Sequence, residues 1–155
     1  MNGKLQVNIY TGLPMVLEKI NTVALAAVIG KGGSWINNKH RHNVIKGKAQ
    51  EFVESDIVLM NSGLELLGDE ITQSVIVYDD DREKVIEQIK ELRKMVYIPY
   101  ICSEVLKVDK SWFDRRMRPR TPGGKVCSFK EDDVFRINMG VIQIANQLKS
   151  IEFTL

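Results

Sequence analysis

The feature that most constrains this chain is that it repeats itself. Displaced by 77 positions, residues 34–52 fall on residues 111–129 without a gap. Ser34-Trp35 meets Ser111-Trp112, Arg41 meets Arg118, Gly47-Lys48 meets Gly124-Lys125, and Phe52 meets Phe129. The same register pairs Val28 with Val105, Glu54 with Glu131, Asp56 with Asp133, Asn61 with Asn138 and Gly63 with Gly140. These are eleven identities, where composition alone gives roughly three, so the chain reads as an internal duplication. Length supports the same division, because 155 residues suffice for one ordinary domain or two very small ones. The expected modules are residues 1–72 and 73–155, each marginal alone and packed on the other.

Charge is distributed with the repeat. The net charge is only +2, but it is unevenly placed. Residues 31–52 hold five Lys/Arg and one Glu, and residues 107–130 hold eight Lys/Arg and two Asp. Acids concentrate elsewhere, around residues 65–70 and 79–91. Such separation suits a polyanion-facing side and an acidic far side. The apolar runs are too short to span a bilayer, and the first residues lack the apolar core of a signal peptide. Cys102 and Cys127 have no counterparts in the first copy and read as reduced thiols of a cytoplasmic protein.

The pattern is mainly helical. Residues 5–10 alternate as a strand does. Pro14 fits the first turn of a helix reaching residue 20. Asn21 or Thr22 caps a helix over 23–29, Gly30 ends it, and Ser34 caps a third helix reaching about Arg41. Lys46-Gly47-Lys48 is turn chemistry for a loop or small hairpin. A fourth helix over 53–71 carries the stripe Ile57, Met60, Leu64, Leu67 and Ile71. Its counterpart over 130–149 carries Val134, Ile137, Val141, Ile144 and Leu148, so the stripe is kept as core. In the second copy the first helix spans 82–94, with Val85 to Ile89 matching Val16 to Ile20 at a shift of 69. Helices then follow from Pro99 to about Lys107 and from Asp109 or Lys110 to about Met117, with a matching loop over 118–128. Residues 75–78 and 151–155 read as strands that, with the first, pair into one small sheet joining the modules.

Helix, glycine turn, helix is the pattern of a helix-turn-helix. Residues 22–41 resemble the lambda-repressor and Cro-like class, with Leu25-Ala26 inside the first helix, Gly30 at the turn and Ile36 buried in the second. In the second copy Ser103 stands for the alanine and Lys107 for the turn glycine, while Phe113 keeps the buried position. The longer pattern, Gly-Lys-x-x-Ser-Trp, a basic helix, x-Gly-Lys-x-x-x-Phe and an acidic helix start, resembles a small domain family of unassigned function from gut Bacteroidetes and their phages. That resemblance covers residues 14–71 and 83–148. It implies two tandem helix-turn-helix modules of about four helices each.

Carried over by position, the second helix of each motif faces the major groove. The first copy would present Gly33, Ser34, Asn37, Asn38 and Arg41, and the second Lys110, Ser111, Asp114, Arg115 and Arg118. Asn reads adenine and Arg reads guanine through bidentate bonds, while Asp114 repels phosphate. Lys39, Lys46, Lys48, Arg116, Arg120 and Lys125 would neutralise phosphates, and the amides at Gly32-Gly33-Ser34 would bind one. Trp35 and Trp112 read as core beside Ile36 and Phe113. His40 and His42 lack the partners of a metal site. The glycine-rich segment 30–34 lacks the ending of a nucleotide loop. No nucleophile has a neighbouring base, so the expectation is a DNA-binding transcriptional regulator with no enzymatic activity, no cofactor and no membrane segment. Its partner is double-stranded DNA, bound as an intrachain pseudo-dimer. The rival expectation is a protein–protein adaptor, virion component or host-protein inhibitor of phage or mobile-element origin on the same fold.

Overall fold

The two apolar stripes build the centre of the molecule. A computed structural model describes residues 3–119 and 124–155. In it the stripe-bearing segments are the helices α4 (Glu54–Gln73) and α8 (Glu131–Ser150). All ten stripe residues are buried. Each helix starts the same way: the carboxylate of its third residue accepts from the backbone N–H just before the helix. Asp56 accepts from Val53 at 2.9 Å and Asp133 from Lys130 at 2.8 Å. This half of a capping box is why the acids at 54, 56, 131 and 133 recur. The two helices approach where Gly68 lies against Ala145, its own counterpart in the repeat. A Cβ on Gly68 would stand 3.1 Å from the Ala145 carbonyl and 2.6 Å from the Lys149 side chain.

Around this pair the fold is mainly helical, with two small sheets among the described residues. The first copy runs β1 (Leu5–Asn8), α1 (Ile9–Leu17), α2 (Thr22–Val28), α3 (Trp35–His40), then a hairpin of β2 (Val44–Ile45) and β3 (Lys48–Ala49), and α4. The second runs α5 (Arg82–Leu92), α6 (Ile98–Tyr100) continuing into a π-helical stretch (Ile101–Leu106), α7 (Lys110–Met117), α8 and β4 (Ile151–Thr154). Among the described residues, all the buried apolar side chains of both copies except Ile86 form one continuous cluster.

Three expectations need correction. The first strand pairs with the last, β1 parallel to β4 in the register Leu5 to Ile151, but residues 75–78 do not join them. That segment is both the tail of one copy and the lead into the next, so it has no strand to pair with. Its backbone is held by side chains instead. Asn138 bonds both the N–H and the C=O of Ile76, each at 2.7 Å. Asn61 does the same for Phe153, at 2.7 and 3.1 Å. The repeat is thus crosswise: the asparagine of each copy holds the tail of the other.

The second correction concerns α1. It starts at Ile9, capped by the Asn8 side chain on the Tyr10 N–H at 2.9 Å, so Pro14 lies inside it. Proline cannot donate to the carbonyl four residues earlier, which is that of Tyr10. His40 supplies the missing donor, with Nε2 3.2 Å from the Tyr10 carbonyl. A carbonyl only accepts, so this partner fixes the proton on Nε2.

The third concerns register. The N-caps Asn8 and Asp81 and the buried pairs Gly12/Val85, Leu13/Ile86 and Val16/Ile89 are all 73 apart. The shift of 69 read from sequence is therefore slipped by one helical turn. Ile20 and Val96 then pair across the two copies in an isolated bridge, 76 apart.

Candidate nucleic-acid interface

The turn between α2 and α3 is set by one left-handed residue. Gly30 has φ +74°, and the next N–H, of Lys31, returns to the Ala26 carbonyl at 2.9 Å. This closes α2 in the manner of a Schellman cap. In the second copy Lys107 takes the left-handed place at φ +56°, ψ +44°. Its following N–H, of Val108, returns to the Cys102 carbonyl at 2.9 Å, one residue further back. The π-helical stretch absorbs that extra residue. From Val96 to Cys102 the repeat is therefore 76 apart, and the buried pair matching Leu25-Ala26 is Ile101-Cys102. Ser103, expected to replace the alanine, is exposed. Burial raises the Cys102 thiol pKa, and the Asp114 carboxylate adds to the rise.

The helices after the turn start at the expected residues, Ser34 and Asp109, but only the second is closed by its capping side chain. Ser34 occupies the N-cap of α3 without a capping bond from its side chain. For α7 the cap is Asp109, which accepts from the Trp112 N–H at 3.0 Å and from the Ser111 hydroxyl at 2.7 Å. The Ser111 hydroxyl first, then the Trp112 N–H, hold the Asp109 carboxyl below its usual range. Ile36 and Phe113 are buried as expected. Trp35 lies edge-on to Phe52 at 6.0 Å and Trp112 edge-on to Phe129 at 5.9 Å, so the repeated aromatics are one packing unit used twice.

Two residues expected at phosphates are engaged inside the protein. Lys39 is paired with Asp56 at 2.9 Å, donates to the Glu51 carbonyl at 3.0 Å and lies over Trp35. Its counterpart Arg116 stacks 3.7 Å from the Trp112 ring centre and donates to the Trp112 carbonyl. Both tie α3 or α7 to the aromatic unit. Asn38 is also committed, accepting from the Asn43 side chain at 3.0 Å, and Asn37 is half-buried. The amide of Trp35 at the α3 start donates to Gly32, and α3 has only six residues, so the helix start offers a phosphate little.

The remaining predicted residues lie outside. Gly33, Ser34, Arg41, Lys46, Lys48, Ser111, Arg115, Arg118 and Lys125 are exposed. Lys110 is exposed too, paired with Asp114 at 3.0 Å, which removes the repulsion expected of that carboxylate. Arg120 lies outside the described residues. Lys46 and Gly47 form the two-residue hairpin turn, with φ +51° and +77°. Two positive φ values are what a type I′ turn requires, and the turn projects Lys46 and Lys48 from the end of α3. In the second copy Arg115, Arg118 and Lys125 rim a cavity of about 410 Å³ with Arg82 at its edge.

Arg82 and Tyr10 are positioning residues that the sequence did not single out. Arg82 donates to the carbonyls of Cys127 at 2.9 Å, Arg116 at 3.0 Å and Arg118, so it anchors the end of α7. In the first copy the Tyr10 hydroxyl accepts from the Phe52 N–H at 2.8 Å, and its ring stacks on His42. Neither residue type repeats, so no self-comparison finds them.

Among the described residues no cluster of His, Cys, Asp or Glu is placed to hold a metal, and no helix is long and apolar enough to cross a membrane. Against known proteins, the chain matches no family model, no curated relative and no solved structure.

Proposed function

We propose that the chain binds double-stranded DNA as an intrachain pseudo-dimer of two helix-turn-helix modules and regulates transcription. The observation that carries this reading is the repeated left-handed turn at Gly30 and Lys107. After each turn comes a helix with exposed basic residues at and beyond its end: Arg41, Lys46 and Lys48, then Arg115, Arg118 and Lys125. On this reading Arg41, Arg115 and Arg118 reach bases or phosphates, and Lys46, Lys48 and Lys125 neutralise phosphates. Because the two sets differ, the half-sites need not be identical.

Selection from a random duplex pool at two salt concentrations tests the proposal. Enrichment of two spaced half-sites is expected, with affinity falling steeply as salt rises. Arg41→Ala should weaken selected sites more than random ones, by about 1–3 kcal/mol, while Lys125→Ala should weaken both alike. No binding at low salt would sink the proposal. The adaptor reading is favoured by one observation: α3 is six residues long, and Asn38 and Lys39 on it are committed to internal bonds.

A further inference from the structure

The duplication supplies an internal control for the protein surface. On α8 the outward face carries Phe135, Met139 and Ile142, which are 61%, 57% and 41% exposed. The residues 77 positions earlier on α4 are Val58, Ser62 and Glu65. Glu65 is solvated and paired with Lys4. Two helices in matching places thus differ: the fold does not require apolar side chains at 139 and 142. Contiguous apolar surface of this kind marks a contact site. Met139 and Ile142 also line an open groove of about 930 Å³ between α8 and the π-helical stretch, which takes in Glu104, Val105, Gln143, Asn146 and Gln147. The Gln147 side-chain oxygen in it is buried without a partner.

We propose that the occupant is a second copy of this chain, docked α8 against α8 in antiparallel fashion. The spacing of Phe135, Met139, Ile142 and Asn146 alternates four, three, four, which is the spacing of a coiled-coil seam. With the two-fold axis between Gly140 and Val141, Met139 meets Ile142 of the second copy and Phe135 meets Asn146 of the second copy. Phe135 stands at the N-terminal end of the stripe and does not line the groove, whereas Asn146, four residues past Ile142, does. The antiparallel arrangement therefore carries each Phe135 over the other copy's groove, reciprocally, as an isologous contact demands.

Charge agrees. α8 opens with the exposed Glu131 and Asp132 and closes with Lys149. Lys149 is already paired with Asp69 of α4, so the gain of antiparallel pairing is that it keeps the two acidic ends apart and opposes the helix dipoles. A parallel pair would set Phe135 on Phe135 and Asp132 against Asp132, with neither Phe135 over the other copy's groove. In the groove Arg136 donates to the Leu106 carbonyl at 2.9 Å, which partly satisfies a guanidinium that the second copy would cover.

Sedimentation velocity of the full chain, from micromolar to hundreds of micromolar, tests this. A monomer–dimer equilibrium is expected, and Met139→Glu should raise its Kd at least ~10-fold. Val58→Glu, on the same face of α4 at the place matching Phe135, should leave Kd unchanged. Both positions are exposed, and circular dichroism verifies that each variant stays folded. Register is read separately, in a Cys127→Ser background, by mixing Phe135→Cys and Asn146→Cys chains and oxidising them. Cross-linked heterodimer, absent from either chain alone, supports the antiparallel seam. A wild-type monomer throughout, equal effects of the two glutamates, or cross-linking only within each single variant would overturn the proposal. None of these outcomes depends on DNA binding.

Discussion

Single polar side chains hold this fold together at points where backbone would otherwise go unpaired. Asn138 is the clearest case. It satisfies both backbone groups of Ile76, a residue only 4% exposed. A buried backbone group left without a partner costs about 1–3 kcal/mol. Asn138→Ala strands two of them, so the expected loss is roughly 2–4 kcal/mol, read as a fall in the urea midpoint at unchanged slope. Asn138→Asp is expected to cost at least as much. It keeps the acceptor for the Ile76 N–H but faces the Ile76 carbonyl with an anion. Asn61→Ala should behave like Asn138→Ala, because Asn61 does the same work for Phe153. A loss under ~0.5 kcal/mol in either alanine variant would mean that water replaces the amide without penalty. The identity of these two asparagines was legible in the sequence; their crosswise partners were not, because nothing local in the chain says which tail each one reaches. The same holds for His40, whose bond to Tyr10 rescues a proline 26 positions before it in the chain.

At the scale of elements, the second copy carries two departures that belong together. It has one extra residue in the helix before its left-handed turn and a lysine where the first copy has glycine. The left-handed conformation costs an L-residue about 1–2 kcal/mol, which glycine escapes at some cost in unfolded-chain entropy. Lys107→Gly is therefore expected to stabilise the protein by up to ~1 kcal/mol. Gly30→Ala, where a Cβ meets open space but φ is +74°, should destabilise by a similar amount. If Lys107→Gly destabilises, the Lys107 side chain must be contributing more than the backbone loses. The stripes of α4 and α8 were fully readable, since ten apolar residues at helical spacing have one economical explanation. The register of α5 was not. Amphipathic helices match themselves again after one turn, so a slip of four residues preserves the pattern. Nor was the π-helical residue visible, since it moves no residue type and only displaces the buried pair from Cys102-Ser103 to Ile101-Cys102. The cationic surface was misread in part for a similar reason. Lys39 and Arg116 repeat as bases because each lies over a repeated tryptophan, and composition does not distinguish that duty from binding phosphate.

Across the whole molecule, the repeat raises the question of whether two modules fold as two units or one. The contacts argue for one. The tail after α8 pairs with β1 at the start of the chain, Asn61 and Asn138 reach across, and Lys149 of α8 is bonded to Asp69 of α4 at 2.6 Å. The Asp69 carboxylate raises the Lys149 pKa, through the hydrogen bond first and the charge second. The buried stripes of both copies also belong to a single cluster. A half-chain would expose one face of α4 or α8 and leave its asparagine without a tail to hold. Each copy conveniently owns one tryptophan, Trp35 or Trp112, half-buried against its phenylalanine. In Trp112→Phe the fluorescence reports only the first copy, and in Trp35→Phe only the second. One cooperative unit predicts that, within each variant, fluorescence and circular dichroism give the same urea midpoint, with the slope of the whole chain. Independent modules predict two dichroism steps, with each tryptophan following only its own. If the transitions coincide, the basic residues of the two copies sit on one rigid frame. On the proposed function, a DNA site contacted by both copies must then match a spacing fixed by the α4–α8 contact rather than by a flexible linker.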